Sequence, residues 1–272
     1  MKNAIKLLGI IALVAVIGFS MVSCDDGGGP GGPSGAAKLD FSGQQVYNDD
    51  FDWDTFKVTY TKFDGNLAIT DGGLGGTGSI AAGKLNYKLE TAPPAGSLLP
   101  ASAMIEDLED MYTNVKFTPS TVNFAMLEGF GVGGSDYDSL VKEYFSMKQS
   151  TTSFSMNQVG VFYIYVDADV TVTAKGVTEK DDYDEDGFEI SQEHTMRDIN
   201  MKLKKGWNAV NSKYTSSISY SLSTMKGKET STVQVSTGDP SEARWVLYED
   251  YYGGYSIKGP MAQRRAAFKF SK

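Results

Sequence analysis

The sequence predicts an all-β protein, an antiparallel β-sandwich with one short helix near residues 102–112. Three observations support this class. Several segments alternate apolar and polar residues with the two-residue period of a half-buried strand. Glycine-rich turns separate these segments, and the chain holds 30 glycines in 272 residues. Only one segment has helical spacing, so the pattern favours a sandwich, which could also be built as two packed β modules.

The first strands are predicted over residues 55–61, TFKVTYT, and 84–90, KLNYKLE. In the second of these, Leu85, Tyr87 and Leu89 share one face. Residues 102–112, SAMIEDLEDMY, form the helical segment instead. There an apolar stripe falls at the spacing of helical turns, and Ser102 is the candidate N-terminal cap. The stripe consists of Met104, Leu108 and Met111.

The longest alternation covers residues 162–175, FYIYVDADVTVTAK, and residues 198–205, DINMKLKK, repeat the pattern. We expect these two segments to pair as a hairpin. Gly206 then provides a turn, and Trp207 is a candidate core residue. Further strands are predicted over 216–223, SSISYSLS, over 232–236, TVQVS, and over 244–249, RWVLYE.

The N-terminus has the features of a secretion signal. Lys2 and Lys6 precede an apolar run from Leu7 to Val22, and no acidic residue occurs before Asp25. This run is shorter than the roughly 20 residues of a membrane-spanning helix. It ends in Met21-Val22-Ser23-Cys24, which resembles a bacterial lipobox. We therefore expect cleavage after residue 23 and lipidation, including palmitate, on Cys24.

The organisation that follows is a signal peptide over 1–23, a flexible linker over 24–38 and a β-sandwich body over 39–272. The linker contains six glycines and two prolines, and such a coil spans roughly 20 Å. Residues 92–115 are the candidate boundary if the body divides in two. Cys24 is the only cysteine, so the mature chain can form no internal disulfide and no zinc-thiolate cluster.

Charge and motifs exclude several classes of partner. Without residues 1–23 the chain keeps 23 basic and 34 acidic groups, a formal net charge of −11. This surface argues against nucleic acid as a partner. Residues 78–85, GSIAAGKL, match a phosphate-binding loop only in part, because Leu85 occupies the position of the magnesium-binding hydroxyl. No nucleotide partner is expected.

One pair of segments carries a family resemblance. Residues 163–176, YIYVDADVTVTAKG, and 201–210, MKLKKGWNAV, follow a lipobox and a glycine-rich leader. Together they resemble poorly characterised lipoproteins of spirochaetes and related diderm bacteria. The resemblance implies an exported, membrane-anchored β protein of the cell envelope, and it brings no catalytic residues to this chain.

An acidic stretch over residues 182–193, DYDEDGFEISQE, matches the spacing of a calcium-binding loop. The ligands would be Asp182, Asp184 and Asp186, with the carbonyl of Phe188 and the carboxylate of Glu193. Calcium is the one cofactor that the sequence suggests. The alternative is a solvated hairpin tip, because eight of the fifteen residues from 179 to 193 are acidic.

The other candidate site is aromatic. Five aromatic side chains fall within eleven residues near the C-terminus and could stack on a glycan or a protein partner, although such residues also form sheet cores. They are Trp245, Tyr248, Tyr251, Tyr252 and Tyr255. His194 is the only histidine, and we expect it to face solvent with raised proton affinity.

These observations predict a lipid-anchored, non-enzymatic binding or structural module of the bacterial envelope, at the periplasmic or outer surface. Three alternatives stay open. An enzyme acting on envelope glycans needs two carboxylates that converge in a cleft. A fimbrial subunit needs an exchangeable terminal strand, and a small-ligand carrier needs an apolar interior with room for a ligand.

Overall fold

The structure of the chain is a computed structural model, which describes residues 34–36, 38–52, 55, 57–89, 92–109, 111–133, 137–185 and 187–249. It confirms the predicted all-β sandwich with one short helix. No described helix is both long enough and apolar enough to cross a bilayer.

The first ten strands are β1 Ser34–Ala36, β2 Leu39–Asp40, β3 Gln44–Asp52, β4 Lys57–Lys62, β5 Leu67–Thr70, β6 Thr77–Ala81, β7 Lys84–Leu89, β8 Leu99–Pro100, β9 Thr113–Thr118 and β10 Asn123–Leu127. The next ten are β11 Phe130–Gly133, β12 Tyr137–Gln149, β13 Ser153–Val166, β14 Val170–Lys175, β15 Thr178–Glu185, β16 Phe188–Met196, β17 Ile199–Leu203, β18 Gly206–Ser221, β19 Lys226–Thr237 and β20 Arg244–Glu249. The helix α1 is Ala101–Glu109, preceded by a 3-10 turn at Ala95–Ser97.

Seven strands close into a ring. Hydrogen-bonded pairing runs from β12 through β11, β5, β6, β7, β3 and β20 and returns to β12. Aromatic side chains fill its interior, with the rings of Phe41 and Trp245 5.0 Å apart and those of Tyr87 and Phe130 4.8 Å apart. We call this buried cluster the ring core. The pairing of β20 with β3 is parallel, and it joins Trp245 to Val46.

The ring extends into a broad sheet through its longest strands. Beyond β12 the order is β13, β18, β19, β16 and β15, and only the pairing of β16 with β19 in this extension is parallel. A separate three-stranded sheet, β9–β14–β17, packs against one face of the extension. The apolar cluster buried between the two sheets, which we call the inter-sheet core, also receives side chains from α1 and the residues that follow it.

Strand β13 belongs to both cores. Phe162, Ile164 and Val166 lie in the inter-sheet core, whereas Tyr163 and Tyr165 lie in the ring core on the opposite face. A strand in the middle of a two-layer structure has apolar neighbours on both sides, which explains why the second half of β13, residues 159–166, is almost continuously apolar.

Several predicted elements are confirmed in detail. Leu85, Tyr87 and Leu89 are all buried on β7, as the alternation predicts, and the surrounding residues form strands rather than a phosphate-binding helix. Trp207 is fully buried after the turn at Gly206, whose φ is 104°. Strand β20 has the predicted bounds, and β14 pairs antiparallel with β17, although not as the predicted hairpin.

Other boundaries are corrected. Residues 162–175 form two strands in different sheets, because the chain bends at residues 167–169 and passes from β13 to β14. Two further strands are inserted between β14 and β17. Residues 216–223 do not start a strand, since their first six residues end the sixteen-residue β18. Helix α1 begins at Ala101, so Ser102 lies inside its first turn rather than at its cap.

The predicted linker also ends earlier than residue 38. Ser34–Ala36 form β1, which pairs with β18 opposite Asn208 and Trp207. Strand pairing uses backbone groups and does not require apolar side chains, so the composition of this segment gave no sign of it. Residues 1–33 lie outside the described residues, and they include the predicted signal peptide and Cys24.

Candidate functional site

The inter-sheet core encloses an apolar cavity of about 130 Å³. It lies between the broad sheet and the three-stranded sheet, with α1 along one side. Most of its wall consists of aliphatic, aromatic and methionine side chains. The lining residues are Leu99, Ala103, Met104, Leu108, Met111, Tyr112, Phe117, Val122, Phe124, Met126, Phe162, Ile164, Val166, Val172, Met196, Ile199, Met201, Leu203, Ser212, Val233 and Val235.

The size of this cavity is suited to a small molecule. An apolar cavity of about 150 Å³ in another protein stays dry and binds benzene or xenon. Methionine supplies an unusual share of the wall here, through Met104, Met111, Met126, Met196 and Met201. Because methionine is unbranched and adopts many rotamers at low cost, such a wall can adapt to the shape of a guest.

Two polar atoms lie in this apolar wall. The hydroxyl groups of Tyr112 and Ser212 are buried and have no hydrogen-bond partner among the described residues. Tyr112 is 2% exposed and Ser212 is 7% exposed. Burial raises the pKa of Tyr112 to about 12, so its phenol remains protonated at neutral pH. Neither hydroxyl oxygen is accessible to a water molecule, so neither is exposed to the cavity itself.

The rim of the cavity is apolar and open to solvent at Leu99. This side chain lines the cavity and is also 52% exposed, one of three large apolar side chains with such exposure in the described part of the chain. Leu99 lies in β8, two residues before α1, and Ala103 and Met104 of the helix also line the cavity. This position gives an apolar molecule a route between solvent and the interior.

A second depression, of about 430 Å³, lies on the outer side of the broad sheet, along β12, β13, β18 and β19. Its lining is mainly hydroxyl and amide groups, and the hydroxyls of Ser217 and Thr230 are 2.9 Å apart. Water can compete at such an open polar surface, so the enclosed apolar cavity is the better candidate site. Neither depression has an Asp or Glu among its described lining residues.

The acidic stretch proposed for calcium forms a β-hairpin. Strand β15 ends at Glu185 and β16 begins at Phe188, with Asp184 opposite Glu189. Gly187 has a φ of 83°, the left-handed conformation that a tight hairpin turn requires. Asp182 and Asp184 are exposed, the side chain of Phe188 is buried, and Asp186 lies outside the described residues.

Lysines from other positions face these carboxylates. Glu193 forms an ion pair with Lys180 at 2.9 Å, and this hydrogen bond lowers the pKa of Glu193. Glu189 forms another with Lys226 of β19 at 2.8 Å, and the pKa of Lys226 is raised mainly by Glu189 and further by Asp182. In the described residues, no three His, Cys, Asp or Glu side chains converge as metal ligands.

The aromatic candidates do not form one exposed surface. Trp245 is 2% exposed in the ring core, where its Nε1 donates a hydrogen bond of 2.7 Å to Gln44. Tyr248 is half-buried, and its hydroxyl donates to the carboxylate of Glu143. Burial, reinforced by Glu143, raises the pKa of Tyr248 well above its usual value. Tyr251, Tyr252 and Tyr255 lie outside the described residues.

The expectation for His194 is wrong. This side chain is only 3% exposed, and its Nδ1 lies 2.7 Å from the hydroxyl of Ser231 on β19. Its Nε2 has no hydrogen-bond partner among the described residues. Burial lowers the pKa of His194, although Glu179 and Glu229 act in the opposite direction. The acidic sequence around His194 suggested exposure, but β16 turns this residue to the inner face beside β19.

Comparison with known proteins found no matching family model, no matching curated protein and no matching solved structure. The cavity must therefore be interpreted from its own chemistry. The sequence placed the lining residues Met104, Leu108 and Met111 on the apolar stripe of a helix, but it did not reveal the cavity. Alternation shows which way a side chain points and does not show whether two layers fill the space between them. The five lining methionines were the feature of the sequence that could have indicated an adaptable apolar cavity.

Proposed function

We propose that this chain is a membrane-anchored, non-catalytic binding lipoprotein of the bacterial envelope whose site is the apolar cavity between its two sheets. The observation that carries the proposal is a methionine-rich apolar cavity between the two sheets, one of whose lining residues, Leu99, is exposed to solvent. Ligand sites are typically concave and mainly apolar, with a few polar groups. This description fits the cavity more closely than it fits the acidic hairpin.

The N-terminal sequence supports the anchor. Cys24 follows a secretion signal in a lipobox-like context, and a glycine-rich segment separates it from β1. A lipid on Cys24 would hold the folded body near a membrane, where small apolar molecules partition. We predict that the protein incorporates labelled palmitate and that a Cys24→Ser variant does not. Only the protein that retains Cys24 should fractionate with membranes.

Binding is tested by thermal melting of the protein with benzene as the probe. Benzene that binds only the folded state at ten times its Kd adds about 1.4 kcal/mol to the free energy of unfolding. For a chain of this size, that corresponds to a rise in Tm of roughly 3–6 °C.

A matched pair of variants on α1 controls for binding elsewhere. Ala103 lines the cavity, whereas Ser102, its neighbour in the same helix, is exposed and does not. Ala103→Phe should fill the cavity and abolish the rise in Tm, while Ser102→Phe should preserve it. A folded protein whose Tm does not respond to benzene, or that responds equally in both variants, would overturn the proposed site.

A further inference from the structure

We infer that the outer side of the broad sheet carries a second binding site, which takes an acidic polysaccharide. The site is the open depression of about 430 Å³ along β12, β13, β18 and β19, which we call the outer depression. The apolar cavity lies on the other side of the same sheet, so this inference does not depend on the proposed function.

Polar side chains form two rows across the four strands of the outer depression. The pairing registers of these strands are continuous, so directly paired residues lie side by side on one face. Neighbouring strands are about 4.8 Å apart, so a row of four residues is roughly 14 Å long. One row consists of Ser146, Asn157, Thr215 and Thr232, and the other of Lys148, Ser155, Ser217 and Thr230. The surface therefore presents hydroxyl and amide groups at regular intervals along two parallel lines.

The outer depression is positively charged, although the whole chain has a formal net charge of −9. Lys148 lines it, and Lys213 lies two residues before Thr215 on the same face of β18. Both lysines are exposed, and neither forms an ion pair with another described residue. Among the described residues that line the depression, none is acidic. An anionic ligand thus meets positive charge without a competing carboxylate in the lining.

An acidic polysaccharide fits both features of this surface. Sugar hydroxyls donate and accept hydrogen bonds, as Ser and Thr hydroxyls and the Asn amide also do. The carboxylate or sulfate groups of the polymer would pair with Lys148 and Lys213. Each contact is weak at an exposed surface, but a polymer that follows the rows makes several contacts at once.

A nucleic acid fits the outer depression less well. Proteins that bind single-stranded nucleic acids stack the bases on aromatic side chains, and the described lining contains none. Hydroxyl and amide groups outnumber cations here, and this favours a ligand that is itself rich in hydroxyls.

Calorimetry with two matched probes tests the ligand class. Oligogalacturonate is a polymer of a carboxylated sugar, and its methyl ester has the same sugar chain without the charge. We expect the intact protein to bind oligogalacturonate, and to bind the methyl ester at least tenfold more weakly. Equal binding of the two probes would overturn the assignment to an acidic ligand.

Two double variants with the same change in net charge locate the site. Lys148→Gln, Lys213→Gln removes the positive charge of the outer depression, whereas Lys116→Gln, Lys202→Gln removes two exposed lysines from the three-stranded sheet. The first variant should raise the Kd for oligogalacturonate at least fivefold, and the second should change it by less than twofold. Because all four side chains are exposed, both variants should fold with an unchanged Tm. Equal losses in the two variants would show that only net charge matters, and the site would be wrong.

The contribution of the rows is tested by Thr215→Val, Thr232→Val, which keeps the branched shape of both side chains and removes their hydroxyls. We expect the Kd for oligogalacturonate to rise at least threefold. Unchanged binding in this variant, or equally tight binding of a single-stranded oligonucleotide with the same number of charges, would show that the surface recognises charge alone and would overturn the inference. If a folded protein does not bind oligogalacturonate at all, the second site is lost, but the benzene test of the apolar cavity is unaffected.

Discussion

At the scale of single residues, the buried histidine has the clearest consequence for stability. His194 is protonated less readily in the folded chain than in the unfolded chain, because burial lowers its pKa below 6.5. The unfolded state therefore binds more protons below about pH 6.5, and stability falls as the pH decreases from there, at up to about 1.4 kcal/mol per pH unit for one proton. The contribution of this residue to the pH dependence fades above pH 6.5 and is negligible by about pH 8.

The His194→Gln variant tests this effect. Glutamine does not titrate, so the free energy of unfolding of the variant should decrease less between pH 6.5 and 5 than that of the unmodified protein. The measurement is denaturant unfolding across pH 5–8. Parallel pH profiles for the two proteins would show that His194 does not cause the acid sensitivity.

Glu128 has the opposite effect in an overlapping pH range. Burial raises the pKa of this half-buried carboxyl from 4.5 to about 7. The folded state then binds more protons than the unfolded state between those values, and stability rises as the pH falls from 7 to 4.5. Glu128→Gln should therefore stabilise the protein at pH 8 by roughly 1–2 kcal/mol, after allowance for solvent near this side chain. The gain should shrink at pH 5, and a loss of stability at pH 8 would contradict this assignment.

At the scale of elements, local patterns predicted fewer than half of the described strands, and pairing between distant segments left no local pattern to read. The alternation of Leu85, Tyr87 and Leu89 requires only that one face of β7 be buried, and it is. The parallel pairing of Trp245 with Val46 joins residues about 200 positions apart and leaves no local signal in either segment. The sequence did not indicate the bend after Val166. The segments before and after the bend, 162–166 and 170–174, both direct alternate apolar side chains into the inter-sheet core, so the alternation continues across it.

The acidic hairpin also shows that a local sequence pattern does not reveal contacts with distant strands. Sequence spacing placed Asp182, Asp184 and Glu193 together as possible ligands, but it could not show that Lys226 comes from β19 to face them. Because lysines already neutralise part of this surface, we predict that millimolar calcium leaves the Tm unchanged. A rise in Tm with calcium that is lost in the Asp182→Ala, Asp184→Ala double variant would contradict this prediction. It would show that the acidic hairpin binds calcium.

At the scale of the whole molecule, the two cores should unfold together. Strand β13 contributes to both, as does β18, whose Trp207 lies in the ring core and whose Val210 lies in the inter-sheet core. Phe130→Ala in the ring core should cost about 3–5 kcal/mol, and Leu203→Ala in the inter-sheet core about 2–5 kcal/mol. Both should shift one calorimetric transition, whereas two separate transitions, each shifted by only one variant, would show that the two cores unfold independently.

The proposed binding function requires that the cavity between the two sheets accept a guest molecule. A crystal structure of the protein under xenon pressure tests this directly, because xenon enters dry apolar cavities without needing a polar partner. We predict xenon density enclosed by Phe162, Met201 and Val233, and no density there in the Ala103→Phe variant. A cavity that stays empty under xenon in the unmodified protein would contradict the proposed site.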